Sequence, residues 1–276
     1  MVIRGIERSL TYVVLTIFFV LGVAPVVWMV MTSFKPNSEI ISSPWGIPSE
    51  IYIQNYIRAI EVGKFGLYLK NSLIVTTFTI LLVLAISLPA AYALARMRFH
   101  FANWIFYLVL GGLIIQKELV LIPLYIILRS LNLVSTYAGL ILPYAAFGIP
   151  FSVFLLRGYF RTLPSELADA AKIDGCSDWG VFWQIMLPLS GPPVAALGIF
   201  QSLWNWNEFL FAWVFVREEA VRTLPVGLVT FRDEVSLVNY GALFAALTMM
   251  TIPMMVIYLV FQRQFVQGLT AGSLKS

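Results

Sequence analysis

One cysteine, Cys176, and one histidine, His100, occur in a chain of 276 residues. A single cysteine excludes an internal disulfide and any metal or cluster site built from several thiolates. The histidine lies beside Arg96 and Arg98 and reads as a solvated connector residue. Charge is also scarce: charged residues make up 12% of the chain, against roughly a quarter in soluble domains. With 60% hydrophobic residues and a mean hydropathy of +0.86, this excludes an ordinary soluble fold. No G-x-x-x-x-G-K-[ST] stretch is present to cradle nucleotide phosphates, and no array of acids, bases and nucleophiles suggests a membrane enzyme. Internal repeats, low-complexity tracts and flexible linkers are lacking as well. The formal charge of +4 is scattered between apolar runs and not gathered on one polar face, which argues against a nucleic-acid partner and for membrane-orienting charge.

What the chain does have is apolar runs. Six of spanning length cover about 10–32, 71–95, 104–128, 137–159, 189–216 and 240–262, and a crossing needs about 20 apolar residues. They predict an all-α polytopic membrane protein of six helices, forming one membrane domain over 1–276. The first run is longer than a signal peptide's apolar core of about 7–15 residues and lacks a small-x-small cleavage site after it, so it is expected to stay as an anchor. Proline recurs within the runs at Pro25, Pro89, Pro123, Pro143, Pro150 and Pro253. Each removes a backbone donor and can bend its helix to open a pathway, or can be tolerated with neighbours satisfying the freed carbonyls. An even number of spans puts both termini on one side. The Arg96–Arg98 pair in a short connector favours the cytoplasm for that side. The two longer connectors opposite, about 33–70 and 217–239, carry mixed charge with Trp45, Tyr52, Tyr56 and Tyr68; they suit either a soluble partner or an interfacial aromatic belt.

The longest connector on the terminal side runs from Leu163 to Pro188. Pro164 and Ser165 supply helix-start signals, Glu166 and Asp169 place negative charge in the first turns, and Gly175 can adopt a left-handed stop. Ala168, Ala170 and Ala171 leave a surface that another protein can approach closely. Ser177 offers a second cap, followed by an amphipathic stretch through Trp179, Val181, Phe182, Trp183 and Ile185. Two short helices joined by a glycine turn, lying on the membrane face, are expected.

These residues resemble the EAA loop of ABC importer permeases, in which E-A-A is followed by three residues, Gly, nine residues, Ile, one residue and Leu-Pro. Asp169-Ala170-Ala171, Gly175, Ile185 and Leu187-Pro188 occupy the anchors, with aspartate in place of the first glutamate. Segments along most of the chain are similar to the maltose-type carbohydrate branch: Leu121–Tyr125, Gly139–Pro143, Ile173-Asp174-Gly175, Trp206–Phe209 and the tail Gly268–Ser276. Ser273 and Ser276 depart from the tail pattern, and Ile115-Gln116-Lys117-Glu118 departs from the Ile-Pro of many relatives. The resemblance implies a type I importer permease that binds no cofactor itself, with ATP and Mg held by two partner ATPase subunits. It further implies a second permease subunit, an extracytoplasmic solute-binding protein, a sugar substrate and an inner-membrane location. Glu166, Asp169, Ala170, Ala171, Asp174 and Gly175 would form the ATPase-coupling surface, and Gly272 and Lys275 a contact made by the tail.

Polar residues inside the runs point to a pathway or to packing. Gln201, Asn205 and Glu208 share a helical face at i, i+4 and i+7 beside Trp204 and Trp206, suiting either sugar contact or hydrogen bonding between subunits. Gln116, Lys117 and Glu118 form a second cluster, with Glu118 a candidate for gating or partner contact. A polyol, glycerol phosphate or osmolyte glycoside permease is the alternative within the class, and a secondary transporter the alternative outside it.

Overall fold

A computed structural model of the chain describes residues 2–97, 99–229 and 239–270, with side chains over 11–97, 99–229 and 239–262. All regular structure among the described residues is helical. Two compact units are present, one of residues 1–66 and 227–252, the other of residues 67–226 and 253–276.

In the first unit, α1 (Val2–Ser33) is followed by the short helices α2 (Asn37–Ser42) and α3 (Gln54–Glu61). The carbonyls at the end of α1 have no helical partners of their own. Asn55, buried on α3, donates from Nδ2 to the carbonyls of Ser33 and Lys35, each at 2.8 Å. Lys35, fully buried, in turn donates from Nζ to the Ser43 carbonyl at 3.0 Å. The Tyr56 and Ser33 hydroxyls meet at 2.7 Å, so Tyr56 belongs to this clamp, while Trp45, 5.2 Å from the Trp28 ring centroid, is 82% exposed. The start of α14 (Tyr240–Thr270) is capped by Asn239, whose side chain accepts from Ala242 N.

The second unit is organised around α7 (Tyr137–Thr162), which is buried over more of its span than any other unbroken spanning helix and runs through two hydrophobic cores. At one end Leu156 and Phe160 pack with Tyr92 and Leu94 of α4 (Phe65–Arg96) and with Phe182 and Met186. At the other, Leu140 and Tyr144 pack with Val75, Leu128, Phe211 and Phe215. Thr136 caps α7, accepting from Gly139 N at 3.1 Å.

Among the described residues, four helices are long and apolar enough to cross a membrane: 11–33 of α1, α4, α7 and 240–262 of α14. These match four of the six predicted runs. The other two are broken, which corrects the expectation of six continuous spanning helices. The run 104–128 divides into α5 (Ala102–Gly111) and α6 (Lys117–Ser130), separated by a turn at 112–116. Gly111 and Gly112 are poor helix formers, and the adjoining Gln116, Lys117 and Glu118 are costly in hydrocarbon unless they line a cavity. The run 189–216 divides into α11 (Gly191–Trp206) and α12 (Leu210–Phe215). Before α11, helix 178–189 meets it at 72° around Ser190; counting this bent pair as one span gives a fifth. The helices run unbroken through Pro25, Pro89, Pro123, Pro143, Pro150 and Pro253, so the interruptions occur at glycines and polar residues.

Replacing Asn55 with Ala leaves two carbonyls without their donor and is expected to destabilise the first unit by about 1–3 kcal/mol. The measurement is protease sensitivity of the 34–64 connector in the solubilised protein, which should rise; unchanged sensitivity would dismiss the clamp.

Candidate functional site

Between its two cores, the middle of α7 faces a cavity of about 610 Å³. The turn joining α5 to α6 forms one wall, α11 and the 207–210 segment another. Gln116, Lys117, Glu118, Gln201, Asn205 and Glu208 all line it, so the two polar clusters that lie far apart in sequence are brought to one place. They do not share one role.

Glu208 lies beyond the end of α11, whose C-cap is Asn207, so the predicted continuous i, i+4, i+7 face breaks before its last member. Its buried carboxylate accepts from the Phe211 and Ala212 N–H groups at 3.0 and 3.2 Å and from the Tyr144 hydroxyl at 2.6 Å. It therefore satisfies the first donors of α12 and places negative charge at that helix's positive end. Gln201, also buried, donates from Nε2 to the Gly148 carbonyl and to Ser152 Oγ, each at 3.2 Å. This approach requires glycine at 148, because a Cβ there would sit 2.7 Å from Gln201 Oε1.

Asn205 differs from both. Its buried Nδ2 has no hydrogen-bond partner among the described residues, an arrangement that costs free energy unless something from outside accepts. Around it the cavity presents Trp204, half-exposed, with Phe151 tilted against it at 5.2 Å between ring centroids, and Phe209. Trp206, paired with Trp204 in the sequence argument, is fully buried elsewhere in the unit. Lys117 Nζ lies 5.9 Å from the Phe211 ring centroid, and Glu118 is exposed to the cavity.

The connector after α7 forms the expected pair of short helices. α8 (Ser165–Ile173) is followed by Gly175 at φ +88°, the left-handed stop that glycine adopts without penalty. Ser177 caps α9 (Asp178–Val181), accepting from Gly180 N at 3.1 Å. The turn continues as a π segment, Phe182–Met186, and then α10 (Leu187–Leu189). Ser165 makes no side-chain cap; Pro164 holds the N-cap position of α8 with an extended backbone. Glu166, Asp169, Ala170, Asp174 and Gly175 are exposed, with Leu167 and Ile173 among them. Ala171 is buried against the α4–α7 core and Ala168 is half-buried, so the outward face is narrower than the alanine pattern suggested. Gly272 and Lys275 lie outside the described residues.

Two side chains that the sequence did not signal, Arg96 and Tyr92, fix this pair to the spanning helices, and an ion pair ties its two members to each other. Arg96, at the end of α4, donates from Nε to the Phe160 carbonyl at 2.9 Å and from Nη2 to the Leu163 carbonyl. Tyr92 donates to the Asp178 carbonyl at 2.9 Å. Lys172 pairs with Asp178 at 2.7 Å across the Gly175 turn; the hydrogen bond to that carboxylate, and then its charge, hold the ammonium above the usual lysine range. Both partners are about half exposed, so solvent screens the pair and it orients the turn more than it stabilises it.

A polytopic helical protein with a polar and aromatic cavity beside broken helices has the build of a membrane transport subunit. Residues 2–271 match the family of binding-protein-dependent transport system inner membrane components, and the chain belongs to that family. It is 40% identical over 270 residues to the Probable ABC transporter permease protein YurM of Bacillus subtilis, covering 98% of this chain and 89% of that one. It is 36% identical over 268 residues to the diacetylchitobiose uptake system permease protein NgcG of Streptomyces coelicolor, covering 97% and 89%. Among solved structures, a bacterial ABC transporter for the acidic polysaccharide alginate superposes with a TM-score of 0.81 at 23% identity, covering 95% of this chain and 97% of that one. At that identity the likeness shows the fold alone. The family is one of non-catalytic inner-membrane transport components; the binding protein and the ATPase that binds ATP are separate partners.

Substituting Gln for Glu208 turns an amide NH₂ toward donors that now meet a carboxylate, with an expected loss of about 1–3 kcal/mol. Asn205→Ala instead removes an unpaired donor and should leave stability unchanged or improved. Thermal unfolding of the solubilised permease checks both, and equal losses would erase the distinction drawn between the two groups.

Proposed function

We propose that this chain forms half of the translocation pathway of an ABC importer for a sugar or oligosaccharide, and that a second permease subunit forms the other half. α5 and α6 together make one crossing, and α11 with α12 another, giving six crossings in a single transmembrane domain with both termini cytoplasmic. Residues at the breaks then lie at membrane depth, where irregular backbone is tolerated because it lines a cavity.

The observation that carries the substrate class is the unpartnered Asn205 amide beside Trp204, Phe151 and Phe209. Sugars offer hydroxyl acceptors to such a donor and apolar ring faces to such aromatics. The uptake relative NgcG, named for diacetylchitobiose, supports the same class. Gln201 and Glu208 hold the wall and do not contact the sugar directly. Glu118, exposed on the opposite wall, is placed to meet the solute or the second subunit as the cavity opens and closes.

On the cytoplasmic side two ATPase subunits engage the importer, one of them holding the face formed by Glu166, Leu167, Asp169, Ala170, Ile173 and Asp174 of this chain. The solute-binding protein docks on the other side of the membrane. Asp169 keeps the charge of the usual glutamate on a shorter arm. The tail around Gly272 and Lys275 adds a further ATPase contact.

Two measurements test this in the reconstituted importer. Asn205→Ala and Trp204→Ala should lower uptake at least ten-fold, about the effect of losing one hydrogen bond or one aromatic contact, while ATPase subunits remain bound; uptake at the parental rate would remove Asn205 from the pathway. Gly175→Val places a β-branched residue at positive φ and should leave ATP hydrolysis uncoupled from uptake with the spans still inserted. Tight coupling in that variant would argue against α8 as the transmission element.

A further inference from the structure

We propose that the groove where the end of α4 meets α5 and the last turns of α7 binds the headgroup phosphate of an anionic phospholipid. The groove has a volume of about 510 Å³, and Met97, Phe99, His100, Asn103, Arg157 and Arg161 lie along it. Among the described residues, two guanidinium groups contribute to it and no carboxylate does.

Arg157 is the anchoring observation. It is 8% exposed, yet its hydrogen-bond and ring contacts among the described residues are neutral. Nε donates to the Leu94 carbonyl at 3.1 Å, Nη2 to Asn103 Oδ1 at 3.0 Å, and the guanidinium lies 3.7 Å from the Phe106 ring centroid. A guanidinium has five N–H donors, so part of its donor set stays unused. Arg161, one helical turn further along α7 and lining the same groove, is of the same sign. Burying one cation beside another without a counter-charge is expensive, and the aromatic contact offsets only part of that cost. An anion supplied from outside the chain would remove it, and exposed Arg161 and His100 stand at the mouth to meet one.

The surroundings select a lipid over a soluble anion. The groove lies where α4 and α7, both spanning helices, come to an end, which is the level of the headgroups. Beside it α5 turns an apolar face outward: Trp104 is 75% exposed, Tyr107 68% and Leu108 73%. A diacyl chain can lie along that face while its phosphate reaches the arginines, and aromatic residues at this depth are favourable in their own right. Inorganic phosphate would make no use of the apolar flank.

Occupancy bears on coupling. Arg157 ties α7 to the Leu94 carbonyl of α4, and Arg96, two residues on, ties α4 back to Phe160 and Leu163, immediately before α8. A phosphate that fixes Arg157 therefore stiffens the pair of helices from which the coupling element hangs. This last step rests on α8 facing the ATPase; the binding site itself does not.

The test uses the complete importer in nanodiscs, wild type against Arg161→Gln and Arg161→Glu. Arg161 is exposed and has no hydrogen bond among the described residues, so both variants should fold. Retained lipid after detergent washing is quantified in discs of phosphatidylcholine with added phosphatidylglycerol. Phosphatidylglycerol should be enriched over phosphatidylcholine in the wild type, with its affinity falling about five-fold in Arg161→Gln and further in Arg161→Glu. Equal enrichment in all three proteins overturns the site. Displacement of the lipid by millimolar inorganic phosphate overturns the lipid assignment in favour of a soluble anion. Uptake by the wild type in the same discs is scored separately, so a failed transport assignment and a failed lipid site give different results.

Discussion

Backbone groups freed at the ends and breaks of helices find no water inside a bilayer, and the architecture depends on how they are satisfied. Most of the buried polar side chains described above bond to such groups. Glu208 takes the first N–H groups of α12. Asn55 holds carbonyls at the end of α1, and Lys35 holds the carbonyl at the end of α2. Asn71 donates to the carbonyls of Ala220 and Arg222, each at 2.9 Å, and Ser72 Oγ accepts from Leu224 N. Arg96 and Arg157 do the same where α4 and α7 end. Each bond lets a helix stop inside the protein, and each stop makes room for irregular structure that a continuous apolar helix could not provide.

The cavity follows from that economy of breaks. α7 stays unbroken and carries both cores, while the elements beside it are interrupted at 112–116 and 207–209. The walls are therefore a rigid helix on one side and helix ends on the other. Helix ends can be re-aimed by small changes at a cap, whereas a packed helix cannot bend without disturbing its core. On the proposed reading the bend at Ser190 has a matching place: it joins the α9–α10 run, fixed by Tyr92 and Lys172, directly to α11, which carries Gln201 and Asn205. A displacement of α8 reaches the cavity through covalent connections and only a few hydrogen bonds. That is a short mechanical route compared with one through the side-chain packing of several spans.

Much of this was legible in the sequence, because hydropathy reports burial in lipid and local rules report turns. The four unbroken spans, the paired short helices, the stop at Gly175 and the cap at Ser177 all rest on signals within a few residues of one another. The rest depended on distant partners. Glu208 and Tyr144 are separated by 64 positions, and nothing near either names the other. Charge in an apolar run marked Lys117 and Glu118 as costly without showing that the helix breaks just before them. The alanines of the connector after α7 looked equivalent, yet helical geometry turns Ala170 outward and Ala171 into the core, and only the position of α4 and α7 decides which is which.

Two kinds of polar group can then be told apart. A side chain whose polar atoms bond to the protein's own groups is part of the frame, however suggestive its position on a pathway; Gln201, which donates to the Gly148 carbonyl and Ser152 Oγ, and Glu208, which accepts from Phe211 N, Ala212 N and the Tyr144 hydroxyl, are of this kind. Asn205 Nδ2 has no hydrogen-bond partner among the described residues, and Arg157, though it bonds to Leu94 and Asn103, shares its groove with Arg161 and with no carboxylate among the described residues. The free-energy cost of leaving them so is what a ligand would relieve, a neutral hydroxylated one for the amide and an anionic one for the guanidinium. The chemistry of the missing partner thus follows from the group left waiting, and the surrounding apolar surface, rings in one case and an outward helix face in the other, indicates the rest of the molecule to which that partner is attached.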